Sequence, residues 1–203
     1  PMLRMSGVHR YLVASPSLVA SGITGETNAH TYNTDTLNTT GATLLIAVVN
    51  GYQSGTLGVS DSLGNTWQAA PHTGETIGVP AVEVWYSYSN SGGPLQTGSG
   101  HVVTVSSGDY VFGTVYAFSG TDTTAAVLGT ALGAGNGNLS SPISSLSVNP
   151  LKYDIIISAI GANQTITGSI SGNSDGNTWA TPLGYSGSDG QVQALWSSYA
   201  IAQ

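Results

Sequence analysis

The chain contains no cysteine, which excludes disulfides, thiolate nucleophiles and cysteine-based metal sites. Its absence leaves the redox character of the compartment open, because an oxidising location permits disulfides without requiring them. Lysine and arginine together number 3, against 10 aspartates and glutamates, for a formal net charge of -7. Phosphate recognition and adhesion to an anionic bilayer both need clustered cations, so neither nucleic acid nor an acidic membrane surface is an expected partner. The acidic residues are dispersed rather than gathered in a tail. No apolar run approaches the length of a spanning helix, so no membrane span is expected. Charged residues of both signs make up only 6% of the chain, where an ordinary soluble protein has about a quarter. Serine, threonine, asparagine and glycine must do the solvating, a composition common in secreted assemblies. Residues 1–20 hold a short apolar run rather than a signal-peptide pattern, and removal of an upstream segment is an expectation.

What the chain does have is short runs of β-branched and aromatic residues separated by Gly, Asn, Asp and Ser. VHRYLV (8–13), ATLLIAVV (42–49), PAVEVWYSYS (80–89), HVVTVS (101–106), YVFGTVYAF (110–118), SPISSLSV (141–148), YDIIISAI (153–160) and QVQALWSSYAIA (191–202) all read as strands. Val82, Val84 and Tyr86 alternate with Glu83, Trp85 and Ser87, as on a half-buried strand. The runs at 44–49 and 155–160 are more continuously apolar and suit central strands. The best helical candidate, TTAAVLGTALGAG (123–135), is interrupted by Gly129 and Gly133, so little or no helix is expected. The pattern predicts an all-β, antiparallel β-sandwich of two layers, jelly-roll-like. Residues 1–27 read as an N-terminal extension or exchanged strand, and residues 28–203 as a single sandwich domain.

One motif occurs twice: SLGNTW at 62–67 and SDGNTW at 174–179. Around these copies, LIAVV (45–49) matches IISAI (156–160), and VEVWYSY (82–88) matches QALWSSY (193–199). Trp67 precedes Trp85 by 18 residues and Trp179 precedes Trp196 by 17. Duplication and convergence on one turn chemistry both account for this. Asp61, Gly64, Asn65 and Trp67 in the first copy, and Asn173, Gly176, Asn177 and Trp179 in the second, are expected to build tight hairpin turns. Asp and Asn side chains accept local backbone bonds there, and Gly supplies positive φ. Calcium is the weaker reading of these loops, since it needs about 6–8 oxygen ligands and the carboxylates are sparse. No other cofactor is expected.

Aromatics beside amides also suit a neutral glycan, with Trp85, Trp196, Tyr86 and Tyr199 as the candidate ligand-binding residues. Catalytic machinery is not expected. His9, His30, His72 and His101 lack zinc-site spacing, and no G-x-S-x-G elbow is present. Glycoside hydrolysis needs two converging carboxylates. Glu83, with Glu26, Glu75, Asp109 or Asp154, is the best available set, and Glu83 on an alternating strand reads as a surface residue.

The order LLIAVVNG, VSDSLGNTW, VWYSYSNSGG, HVVTVSS, VYAFSGTDTTAAV resembles an uncharacterised β-sandwich domain that recurs in secreted, multidomain bacterial proteins. The resemblance spans roughly residues 28–202 and rests on Asp61, Ser62, Gly64, Asn65, Thr66 and Trp67, then Trp85 and Tyr86, then Ser119, Gly120, Asp122, Thr123 and Thr124. It implies an extracellular or cell-surface location and brings no catalytic residues. The expected function is a structural or adhesive subunit of an extracellular assembly such as a filament, surface layer or virion surface. Self-association would run through sheet edges or the N-terminal strand. A carbohydrate-binding module is the alternative, and a glycoside-active enzyme ranks below both.

Overall fold

The computed structural model describes residues 15–24, 30–51, 57–70, 81–89, 93–107, 110–121, 154–162, 178–186 and 194–203. In chain order the strands are β1 (Ser17–Ile23), β2 (Thr31–Asn33), β3 (Leu44–Gly51), β4 (Gly58–Asp61), β5 (Gln68–Ala69), β6 (Ala81–Tyr88), β7 (Val103–Ser106), β8 (Val111–Ser119), β9 (Ile155–Ala162), β10 (Leu183–Ser186) and β11 (Ala194–Ile201). There is no helix among the described residues. The strands form three antiparallel sheets, ordered β1-β8-β3-β6-β5, β10-β11-β9 and β2-β7-β4. The expected strands at 8–13 and 141–148 and the helical candidate at 123–135 lie outside the described residues.

Three sheets stand where two layers were expected, and the reason lies in β3 and β8. Their side chains alternate between faces as in any strand, yet both sets are apolar. Ala47 and Val49 of β3, with Val111 and Val115 of β8 and Trp85 of β6, pack against Val103 and Val105 of β7, Val59 of β4 and Tyr32 of β2. Ile46, Val48, Phe112, Tyr116 and Phe118, with Val82 and Val84 of β6, meet Ile155, Ile157 and Ala159 of β9, Leu183 of β10, and Leu195 and Tyr199 of β11. The five-stranded sheet is therefore covered on both faces. Exposing either would cost on the order of 2 kcal/mol for each large side chain returned to water. The run at 155–160 is not central as expected: β9 is an end strand of its sheet, with Ile155, Ile157 and Ala159 half-buried against the five-stranded sheet.

The quasi-repeat extends to topology. In the first copy the Trp85 strand β6 pairs with β3 and with β5, which follows Trp67 directly. In the second, the Trp196 strand β11 pairs with β9 and with β10, and Trp179 itself bridges to Ala200 of β11. Each tryptophan strand is thus the middle member of a triplet with the same order. Convergent turn chemistry alone does not supply that shared pairing.

β1 falls within residues 1–27, which the sequence suggested as an extension or exchanged strand. It pairs antiparallel with β8 of its own chain, Ser21 opposite Tyr116 and Ile23 opposite Thr114.

One polar contact ties two sheets together through their apolar interface. Ser197 of β11 shares hydrogen bonds with the hydroxyls of Tyr116 and Thr114 on β8, the Tyr116 contact being 2.8 Å. Burial pushes the Tyr116 phenol above its ordinary value. Tyr199 sets its ring edge-on to Tyr116 and Phe118, at centroid distances of 5.7 and 5.0 Å. Ser197→Ala strips the shared partner from two buried hydroxyls, whereas Tyr116→Phe leaves Ser197 bonded to Thr114. We expect losses of about 2 and about 1 kcal/mol respectively, read from urea unfolding midpoints. Equal losses would mean that Ser197 is not the hub.

Candidate functional site at the first tryptophan corner

The expected hairpin at SLGNTW is a corner instead. β4 pairs with β7 in one sheet and β5 with β6 in another, so residues 61–67 carry the chain from sheet to sheet. Asp61 organises the crossing. Its Oδ1 accepts from the backbone N–H groups of Leu63 (2.8 Å) and Asn65 (3.2 Å), and its Oδ2 from the Trp67 indole Nε1 (2.7 Å). Gly64 sits at φ 76°, in the left-handed region that a β-carbon disfavours. Asn65 extends the network by a reciprocal pair with Gln96, donating to its carbonyl at 2.9 Å and accepting from its N–H at 2.6 Å.

Behind the carboxylate lies His101, fully buried, with Nε2 3.4 Å from Asp61 Oδ1. Its Nδ1 is 2.9 Å from the Thr39 hydroxyl, which also contacts both the N–H and the carbonyl of Gly98. Backbone bonds between His101 and Leu37 hold the ring in place. Hydroxyl, imidazole and carboxylate in series have the connectivity of a nucleophilic triad. Thr39 and His101 are both wholly buried, so no substrate reaches the hydroxyl, and the arrangement acts as a brace between residues 37–39, the corner and the approach to β7. Burial by itself would raise the pKa of Asp61, but the neighbouring His101 and the bonds from Trp67 and Asn65 outweigh it and bring the value from 3.8 down to about 2.

That donor set bears on the calcium reading. Every contact described for the Asp61 carboxylate is with an N–H or imidazole nitrogen, the wrong environment for a hard cation, which needs oxygen ligands. No cluster of three His, Cys, Asp or Glu able to hold a metal occurs among the described residues.

Beside the corner is a shallow cleft of about 50 Å³ whose lining includes Asn65, Thr66, Tyr88, Pro94 and Gln96. Pockets for small molecules run to about 300–1,000 Å³. Trp85 is half-buried against the core, and its Nε1 donates to Glu83 Oε2 at 2.8 Å. Glu83, expected at the surface, is buried, because β6 is covered on both faces. Of its suggested acidic partners, Asp154 is exposed, and Glu26, Glu75 and Asp109 lie outside the described residues. Tyr199 is half-buried, with its ring against Tyr116 and Phe118. Trp196 is half-buried opposite Gly184, with its Nε1 covered. Tyr86 is half-buried, donates its hydroxyl to Gln68 Oε1 at 2.9 Å and lies near-parallel to half-buried Tyr88, with ring centres 5.9 Å apart.

In the second copy of the motif Trp179 is half-buried, and Asn173, Gly176 and Asn177 lie outside the described residues. His101 and Thr39 escaped the sequence reading because their only signal is spatial: 62 residues separate them, with no spacing motif to join them. No helix among the described residues is long and apolar enough to cross a membrane. Comparison with protein-family models, with curated proteins and with solved structures finds no match for this chain.

Proposed function

We propose that the protein is a structural or adhesive, non-enzymatic subunit of an extracellular assembly, its body a stack of antiparallel β-sheets. One observation carries this reading: the side chains most suggestive of ligand chemistry are engaged within the fold. Asp61 holds the corner, and Trp67 and Trp85 direct their N–H groups at Asp61 and Glu83. The scarcity of charge and the motif order that resembles secreted bacterial domains support the extracellular part of the proposal. Electron microscopy and sedimentation of the purified chain over a wide concentration range test it. Concentration-dependent oligomers or filaments are the expected result, and dispersed monomers under every condition would remove the proposal.

A second reading, binding of a neutral polysaccharide, is favoured by the near-parallel Tyr86 and Tyr88 rings, each only half-buried. It predicts retention on an insoluble glycan that falls about two- to tenfold on Tyr86→Ala, since one aromatic contact is worth about 0.5–1.5 kcal/mol. Blank pull-downs with the wild-type chain would dispose of it.

A further inference from the structure

We propose that the cleft beside the first corner is the specificity pocket of a glycan site, receiving the exocyclic hydroxymethyl group of a neutral hexose and hydrogen-bonding it to Ser87. The inference rests on the polysaccharide reading above and names the group that the site would recognise.

A hydroxyl with no use in the fold carries it. Ser87 lies on β6 directly opposite Leu45, on the face that it shares with Glu83 and Trp85, and is 1% exposed. Leu45 is wholly buried, and Trp67 and Leu95 pack against its cluster. A buried hydroxyl in such surroundings is expected to have a partner. Among the described residues the Ser87 hydroxyl has none. Ser87 lines the cleft, and its Oγ is not sealed off as the Trp196 Nε1 is. The quasi-repeat supplies the contrast. Ser198, placed after Trp196 as Ser87 is after Trp85, is equally buried and donates to the Ala180 carbonyl at 2.7 Å. The carbonyl equivalent to Ala180 belongs to Gln68, which follows Trp67, and Ser87 makes no such bond to it.

Size and chemistry select the occupant. At about 50 Å³ the cleft exceeds the roughly 30 Å³ share of one water and is too small for a sugar ring, so it holds one small group. No charged residue lines it, so nothing there balances an ionised group. Asn65 gives one amide proton to the Gln96 carbonyl and keeps the other, while the Gln96 Oε1 accepts no bond among the described residues. Together with Ser87 they offer an alcohol both a donor and an acceptor. The β5–β6 ladder ends at Tyr86, so at Ser87 and Tyr88 the cleft meets residues of both faces of β6. Tyr88 thereby links the cleft to the near-parallel Tyr86 and Tyr88 rings, where the sugar ring itself would rest.

The test compares retention of the wild type and Ser87→Ala on insoluble cellulose, curdlan and mannan, which are hexose polymers, and on xylan, whose pentose units lack the hydroxymethyl group. The wild type is expected to be held by at least one hexose polymer and about two- to tenfold less by xylan, the worth of one hydrogen bond. Ser87→Ala is expected to lose that factor on the hexose polymer and nothing on xylan. Its urea midpoint should stay or rise, because the substitution removes a hydroxyl that the fold leaves without a partner. A lowered midpoint would show that the hydroxyl serves the fold, and would overturn the proposal. If Tyr86→Ala weakens retention and Ser87→Ala does not, or xylan is held as well as the hexose polymers, the cleft takes only water and the polysaccharide reading stands. If no polymer retains the wild type, the inference and that reading fall together.

Discussion

Asp61→Ala is expected to lower the free energy of unfolding by about 3–4 kcal/mol, the largest effect of any single polar substitution considered. Three N–H donors lose their acceptor at once, and the buried His101 loses the carboxylate 3.4 Å from its Nε2. The exposed Leu63 N–H finds water, and its loss is small. Removing the partner of a buried group that water cannot reach costs about 1–3 kcal/mol, more where charge is involved. Chemical denaturation at neutral pH reads the loss directly. A change below about 1 kcal/mol would show that the corner does not depend on its carboxylate.

The same residue gives the protein an acid limb. Its pKa is about 2 in the folded chain against the ordinary 3.8. A depressed folded value means that the ionised form favours folding, so the contribution is complete above about pH 4 or 5. It is lost as pH falls toward 2, where the folded protein takes up the proton as well. The amount is about 2 kcal/mol. Wild-type stability should decline across that window, and Asp61→Asn should be less stable at neutral pH with a visibly flatter acid limb. Parallel acid limbs in the two proteins would contradict the assignment.

Gly184→Ala is expected to cost about 3 kcal/mol and to lower the melting temperature by several degrees, although it adds a single methyl group. Gly184 pairs with Trp196 across β10 and β11. A β-carbon there would run into the backbone carbonyl oxygen of Leu195 and stand 2.8 Å from the Trp196 ring and 3.0 Å from its Cα. Backbone atoms in a paired strand cannot step aside, so the strain falls at the upper end of the usual overpacking cost. Gly161 provides the control. Its β-carbon would meet side-chain atoms, Val82 Cγ2 at 2.5 Å and Asn50 Oδ1 at 2.7 Å, and these can adjust by rotation. Gly161→Ala should therefore cost less, and the reverse order would mean that β10 yields more readily than β6. Thermal unfolding of the two variants decides.

These effects divide along the line between what was legible and what was not. The runs at 42–49, 80–89, 110–118 and 191–202 became β3, β6, β8 and β11 within a few residues at each end. β2 and β5, of three and two residues, left no such trace, because their pairing is supplied by β7 and β6. β1 was blurred into an N-terminal extension, since SLVASGI carries a weak alternation and its place is set by β8. At the corner, the Asp, Gly, Asn and Trp of DSLGNTW were recognisable as turn chemistry. That the turn joins two sheets rather than two neighbouring strands was not, because the residues flanking a hairpin and those flanking a corner have the same local preferences.

By itself the sequence determined the β character of this protein, the central apolar strand β3 and the absence of thiol chemistry. Period-two alternation, β-branching and composition act residue by residue, and need no knowledge of distant partners. Only the tertiary structure decided that Glu83 is buried, that Trp67 answers to Asp61, and that His101 and Thr39 stand behind it. Each of those facts depends on which strands lie side by side. Strand order is set by the summed burial of whole sheets, and no local stretch of the chain carries it.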